Sequence, residues 1–328
     1  MEKRKIDRRE FIKEASIAGL GIAVGASLIS KIGRNVSAEE KSKILIASHP
    51  EATADMKINP EIVKKVVDTG IMRYTGKDTV ASAWASVLPS LSPNDIVTLK
   101  VNCINRSLSS HPELVDAIVA GLISAGVKES NIIIWDRTNN ELTRAGYKLN
   151  TENTGVRCFG TDEKDWGYDK QVRLHDQDVR LSKILMKTTH LINVPVLKDH
   201  GTSGVTLSMK NHYGSVDNPG ALHGGRCDPY IAHLNDVPEI KEKTRIIVLD
   251  ALLGIFRGGP GGQPQFTYNS VIFGQDPVAL DYTGWTIIRE ERQKNGQDLA
   301  LPANIITASK IGLGKSDPDS IIIEKVSA

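Results

Sequence analysis

Leu191-Ile192-Asn193-Val194-Pro195-Val196-Leu197 is a nearly continuous apolar run, and it constrains the fold more than any other stretch of this chain. A strand that shows one face to water alternates apolar and polar residues, whereas a run apolar at almost every position needs cover on both faces, as in a parallel sheet. Its polar residues begin where the strand should stop. From His190 to Val216 the chain places two lysines and three histidines, with Asn211, around this one run. If the backbone stays extended to residue 200, Lys198 and His200 are two apart and point to the same side, so an ammonium and an imidazole enter one small volume. Thr202 or Ser203 then reads as an N-cap, and Gly204 permits close backbone approach. A helix continuing to about Tyr213 would offer free N–H groups to an anion, with Thr206 and Lys210 sharing a face. The competing reading is a solvated strand-to-helix turn, the usual fate of charged residues.

The first 38 residues read as an address rather than as structure. Asp7-Arg8-Arg9-Glu10-Phe11-Ile12-Lys13 has the layout of a twin-arginine export signal, followed by a Gly- and Ala-rich apolar run of 16 residues from Ala15 to Ser30. That run is short of the roughly 20 strongly apolar residues of a membrane-spanning helix. Val36-Ser37-Ala38 supplies a small-residue cleavage site, so residues 39–328 are expected as a single α/β domain, exported to the periplasm or beyond. The expected partner during export is the twin-arginine translocase, and no permanent membrane span is expected once the signal is cleaved. The segment holds eight of the 41 Lys and Arg and four of the 39 Asp and Glu, leaving 33 positive against 35 negative charges. A net charge near −2 gives no global electrostatic reason to expect nucleic acid or a membrane surface as partner.

From Lys43 onward strand and helix patterns alternate. Strands are expected at 44–47, 95–101, 131–135, 244–249 and 271–273, and helices at 60–69, 79–88 and from His111-Pro112-Glu113 to Gly126. Asp276-Pro277 opens another helix. Strand, helix, strand in succession predicts a mostly parallel sheet with right-handed crossovers and helices on both faces. Residues 137–180 are polar, with Trp166 and Tyr168 among charges, and read as an insertion over the sheet, either a solvated loop with a small hairpin or a lid.

Several predicted strands end in polar residues: Lys100 and Asn102, Asp136, Lys198 and His200, and Asp250. In an open parallel sheet ligands bind beyond the carboxyl ends of the strands, so these endings should line one crevice. Lysines suit a carboxylate or phosphate, and His or Asp beside them could move a proton. We therefore expect Lys100, Asn102, Lys198, Lys210 and Asn211 to hold a small anionic ligand, with His200 and Asp250 as candidate acid or base. A metal site would draw on His200, His212, His223 and Cys227, with His233 nearby, although their separations match no tight zinc motif. No Walker phosphate loop and no Gly-x-Ser-x-Gly elbow occurs. Cys103, Cys158 and Cys227 allow one disulfide or none.

Val194-Pro195-Val196-Leu197-Lys198-Asp199-His200, Thr206-Leu207-Ser208-Met209-Lys210-Asn211, Lys100-Val101-Asn102, Gly258-Gly259-Pro260 after Asp250, and Gly274-Gln275-Asp276-Pro277-Val278-Ala279-Leu280-Asp281 together resemble the domain of unknown function 362 family. Some members are labelled iron–sulfur centre proteins, which implies a second expectation: a non-catalytic redox or cofactor-carrying accessory. The four-cysteine motif that would ligate such a cluster is absent, so an iron–sulfur cluster is not expected in this chain alone, and the cofactor is left open between none and a metal ion.

Overall fold

The structure, a computed structural model, describes residues 41–328, so the export signal read over residues 1–38 lies outside the described residues. Ten strands form one sheet: β1 (Ser42–Ser48), β2 (Val97–Lys100), β3 (Ile132–Trp135), β4 (Arg157–Cys158), β5 (His190–Asn193), β6 (Val196–His200), β7 (Gly204–Thr206), β8 (Thr244–Ile255), β9 (Phe266–Gly274) and β10 (Ile321–Ser327). The order is β10-β1-β9-β8-β5-β2-β3-β4, with β6 and β7 branching from β8. Along this path only β9 runs against its neighbours, so the sheet is mostly parallel.

The strand residues divide by parity. Leu45, Leu99, Ile134, Ile192, Val248 and Phe273 pack on one face with the helices Pro60–Thr75, Val80–Val87 and Pro112–Ser124. Ile44, Ile133, Leu191, Ile247 and Ile272 pack on the other, with Pro277–Lys294 and Ala303–Lys310. Both faces are covered, which is why the strands could be apolar at nearly every position. The helix expected at 60–69 starts there but runs to Thr75: Asn59 caps Ile62 and Gly76 closes it at φ 67°, while Thr79 caps Ser82 of the next.

Three expectations need correction. The apolar run is two strands, because Pro195 has no N–H to give a ladder and the chain bends there. β5 lies between β2 and β8, while β6 leaves it to follow the far half of β8, with Asp250 N–H donating to the Pro195 carbonyl at 2.9 Å. The helix expected from residue 202 to 213 is replaced by β7, which returns antiparallel to β6 with Lys198 opposite Thr206 and His200 opposite Gly204. Its pairing takes residues 204–206, and only the four-residue helix Ser208–Asn211 and a 3-10 turn at His212–Ser215 follow. Finally, β8 does not stop at Leu249. It runs 12 residues to Ile255 and leaves Asp250 in mid-strand.

The insertion contains a hairpin, Tyr168–Leu174 with Gln177–Ser182, but it also donates β4 to the sheet edge and Phe159, Leu174 and Leu181 to the core. Most of its residues stay exposed or half-buried, so the expected solvated segment with a hairpin is present, pinned to the sheet at these few points.

Candidate functional site

Beyond the carboxyl ends of β2, β3 and β6 lies a cavity of about 160 Å³, lined by Lys100, Asn102, Asp136, Arg137, Glu141, His200, Thr206, Lys210, Asn211, Tyr213 and His223, with Pro260 at its rim. Its floor is a closed hydrogen-bond network. Lys100 Nζ donates to an Asp136 carboxylate oxygen at 2.6 Å and to the Val101 carbonyl at 2.7 Å, and both side chains are almost wholly buried. The other Asp136 oxygen accepts the Cys103 N–H at 2.6 Å. Gly214 passes so close that a Cβ there would sit 2.6 Å from Asp136 Oδ1 and 2.8 Å from Lys100 Nζ, which only glycine permits.

A chain of amides extends this floor. Lys198 Nζ donates to Asn102 Oδ1 at 2.7 Å, Asn102 Nδ2 to Asn211 Oδ1 at 2.9 Å, Asn211 Nδ2 to Asn193 Oδ1 at 2.7 Å, and Asn193 Nδ2 to the Ser208 carbonyl at 2.9 Å. Every link satisfies a buried polar group, which is what a network of this kind needs to rigidify rather than weaken a core. The short helix carrying Lys210 and Asn211 is aimed from outside the cavity. Asp281, buried in Pro277–Lys294, accepts the Ser208 N–H at 2.7 Å and the Met209 N–H at 3.2 Å, so a carboxylate 72 residues away caps that helix in place of a local residue. Burial pushes the Asp281 carboxyl up to about 7 against those hydrogen bonds. The free N–H groups expected for an anion at this helix are thus already engaged.

The loop after β8 is tied down by Asp199. Its carboxylate accepts the Gly259 N–H at 2.6 Å and the Gly258 N–H at 3.2 Å, and pairs with Arg292 at 2.9 Å. A Cβ on Gly259 would lie 2.1 Å from the Asp199 carbonyl oxygen, so the close approach requires glycine and sets Pro260 at the cavity rim.

The upper wall differs in kind. Lys210 Nζ stands 3.4 Å from the Tyr213 ring centre and 3.3 Å from His223 Nε2. His223 Nδ1 donates to the Pro219 carbonyl at 2.8 Å, which leaves Nε2 as an acceptor. His200 Nδ1 accepts the Thr202 and Ser203 N–H groups at 3.0 and 3.2 Å, so its proton sits on Nε2, which has no protein partner among the described residues. Burial, with Lys210, His223 and Lys198 adding like charge, pushes the His200 imidazole down to about 3; it is a neutral N–H donor at physiological pH. Burial also pushes the Lys210 and Lys198 ammonium groups down to about 8.

Of the residues expected at the site, Lys100, Asn102, His200, Lys210 and Asn211 line this one cavity. Lys198 lies beneath it, sealed by Asn102 and the Leu108 carbonyl. Asp250 does not line it: one carboxylate oxygen accepts the His111 N–H at 2.8 Å and contacts His111 Nδ1 at 2.7 Å, with Asp250 fully buried. The expected metal set is not assembled. His200 and His223 have ring centres 5.9 Å apart, but His212 is buried beside Ser215 at a different cavity, and Cys227 does not line the wall. His233 pairs instead with His175. Among the described residues no three His, Cys, Asp or Glu side chains converge at a metal-binding spacing. Cys103, Cys158 and Cys227 are free, buried thiols.

Sequence reasoning missed Asn193, Asp281, Tyr213 and the anchoring role of Asp199. Asn193 had a signal, as the one polar residue inside an apolar run, and Tyr213 stands three residues after Lys210, on the 3-10 turn that follows its short helix.

No curated protein matches the chain. Among solved structures it is similar to a protein from Thermotoga maritima determined as a structural-genomics target, with 10% identity and a TM-score of 0.31 over 70% of this chain and 58% of that one. It is also similar to the lactate racemase apoprotein from Thermoanaerobacterium thermosaccharolyticum, with 14% identity and a TM-score of 0.37 over 75% of this chain and 57% of that one. The chain spans less than two thirds of the length of either protein. Residues 97–286 match the family described as Domain of unknown function (DUF362), a stretch that takes in β2 through the first half of Pro277–Lys294 and every lysine of the cavity. Because that match covers more than half of the sequence, the chain belongs to the DUF362 family.

Proposed function

We propose that this protein binds a small anionic ligand in the cavity beyond β2, β3 and β6, and that it does so after export by the twin-arginine route. The observation that carries the binding reading is a charge imbalance. Lys100 and Lys210 line the cavity and Lys198 lies beneath it; Asp136 pairs with Lys100 and Glu141 with Arg137, and no carboxylate among the described residues pairs with Lys198 or Lys210. A buried cation without a counter-ion is costly, and an incoming carboxylate or phosphate would supply the missing charge. The His200 Nε2–H adds a neutral donor on the same wall.

In this reading Lys100, Asn102, Lys198 and Asn211 shape the floor, and Lys210 meets the ligand. His200 donates a hydrogen bond instead of cycling a proton, because its imidazole takes up a proton only near pH 3. Lys210, with a proton that leaves near pH 8, is better matched to acid–base work near neutrality. Asp250, engaged by His111, takes no part at this cavity. At this wall His200 and His223 are the two imidazoles brought close together among the described residues.

Isothermal titration of the purified protein with phosphate, acetate and oxalate, alongside a Lys210→Met variant, tests the reading. Binding that weakens at least tenfold in the variant is the expected result, whereas heats equal to buffer dilution for every anion would overturn it. Export is tested separately by fractionating cells that express the full chain with Arg8→Lys and Arg9→Lys; loss of the exported form is expected.

A further inference from the structure

The three lysines of the site differ in what their amines touch. Lys100 has a carboxylate and a carbonyl, and Lys198 has an amide oxygen and a carbonyl. Lys210 has no oxygen acceptor. Its amine lies over the Tyr213 ring and against the lone pair of His223 Nε2, in a side chain 7% exposed that nonetheless lines the cavity. An aromatic face tolerates the ammonium, but neither neighbour fixes it as a charge in the way a carboxylate would. The imidazole beside it is oriented by Pro219 to accept a proton. This is the surrounding of a nucleophilic amine rather than of a structural cation.

We propose that Lys210 is a Schiff-base lysine that condenses with the carbonyl of a small 2-oxo carboxylate held in the cavity. The inference rests on the anion-site reading above and assigns it a substrate class. The carboxylate would lie against the His200 Nε2–H and the positive charge of the floor, and the adjacent carbonyl carbon would face the amine. A cavity of about 160 Å³ accommodates an acid of a few carbons. The depressed Lys210 ammonium, leaving its proton near pH 8, agrees with this role.

The step balances within the site. The Lys210 ammonium passes a proton to His223 Nε2, and the neutral amine attacks the carbonyl carbon, forming the C–N bond while the C=O π pair moves to oxygen. That oxygen takes up the proton from His223 and a second proton from the nitrogen, and leaves as water. A protonated imine is left on Lys210. The net change is one ammonium plus one carbonyl giving one iminium plus water, with no oxidant or reductant.

The test uses the full chain with pyruvate and glyoxylate in the presence of sodium borohydride, read by intact mass and peptide mapping, with acetate binding measured in parallel by calorimetry. One adduct per chain, mapped to Lys210 and blocked by excess acetate, is the expected result. Acetate binding without an adduct, or adducts spread over surface lysines, would overturn the imine and leave the anion site standing; absence of both binding and adduct would overturn the two together. Because the adduct is mapped on the unaltered protein, the outcome does not depend on any variant folding. Lys210→Arg, checked for an unchanged unfolding transition, should lose the adduct while its other lysines stay unlabelled.

Discussion

The floor and the upper wall of the cavity are both built from buried cations, yet they are opposite solutions to the same electrostatic problem. On the floor, Lys100 and Lys198 meet oxygen acceptors, and the amides of Asn102, Asn193 and Asn211 pass hydrogen bonds from one strand end to the next. On the wall, Lys210 meets a ring and an imidazole. A buried charge with its acceptors in place holds structure together, and one without them stays available for a ligand. The position of a lysine at a strand end therefore says little about its role until its partners are known.

The comparison breaks most readily on the floor. Replacing Asp136 with Ala leaves Lys100 charged, buried and unpaired, and releases the Cys103 N–H. A loss of about 3–5 kcal/mol in urea unfolding is expected. A loss under about 1 kcal/mol would mean that the pair is not structural.

Asn211→Ala removes one amide that serves four neighbours, Lys100 Nζ, the Lys100 carbonyl, Asn102 and Asn193. Unfolding should show roughly 2–3 kcal/mol of destabilisation, the cost of leaving buried polar groups unsatisfied. A smaller effect comes from Gly259→Ala, whose Cβ must push the Asp199 backbone aside. About 1–3 kcal/mol is expected there, with a weaker affinity for anions as Pro260 shifts at the rim.

On the wall the same experiment should read differently. Lys210→Met removes a buried cation that has no counter-ion, so stability should hold or rise while anion affinity falls at least tenfold. A large stability loss in this variant would erase the distinction between the two regions.

The gentlest probe is pH. Lys198 and Lys210 bind their protons less tightly folded than unfolded, at about 8 against the ordinary 10.5. Below pH 8 both states are protonated and the cost of burying the charges is full. Between pH 8 and 10.5 the unfolded chain holds more protons, so these two groups make stability rise with pH. Anion affinity should move the other way and decline above pH 8 as Lys210 loses its charge. In Lys210→Met the decline in affinity should shrink to the part due to Lys198, and the part of the stability slope due to Lys198 persists.

Much of the scaffold was legible because its signals are local. Pro60, Thr79 and Asp276 announce helix starts that the structure keeps, and the apolar strands called for cover on both faces. The strand endings Lys100, Asn102 and His200 fell into one cavity for the same reason, since a parallel sheet delivers its carboxyl ends to one side. Legibility failed where local preference met long-range pairing. Gly204-Val205-Thr206 looked like the opening of a helix but found a strand partner in β6, and Asp250 looked like a strand end until β9 extended the ladder past it.

The sequence by itself thus determined a covered, mostly parallel sheet with polar residues at its carboxyl edge, because periodicity and caps act within a few residues. Only the tertiary structure decided which of those residues are scaffold and which face a ligand. Asn102 finds Asn211 across 109 positions, Lys100 finds Asp136 across 36, and Asp281 caps a helix 73 positions before it. Lys210 finds no acceptor oxygen. A side chain's charge state and reactivity follow from its burial and its partners, and both are set by packing between segments that no local pattern links.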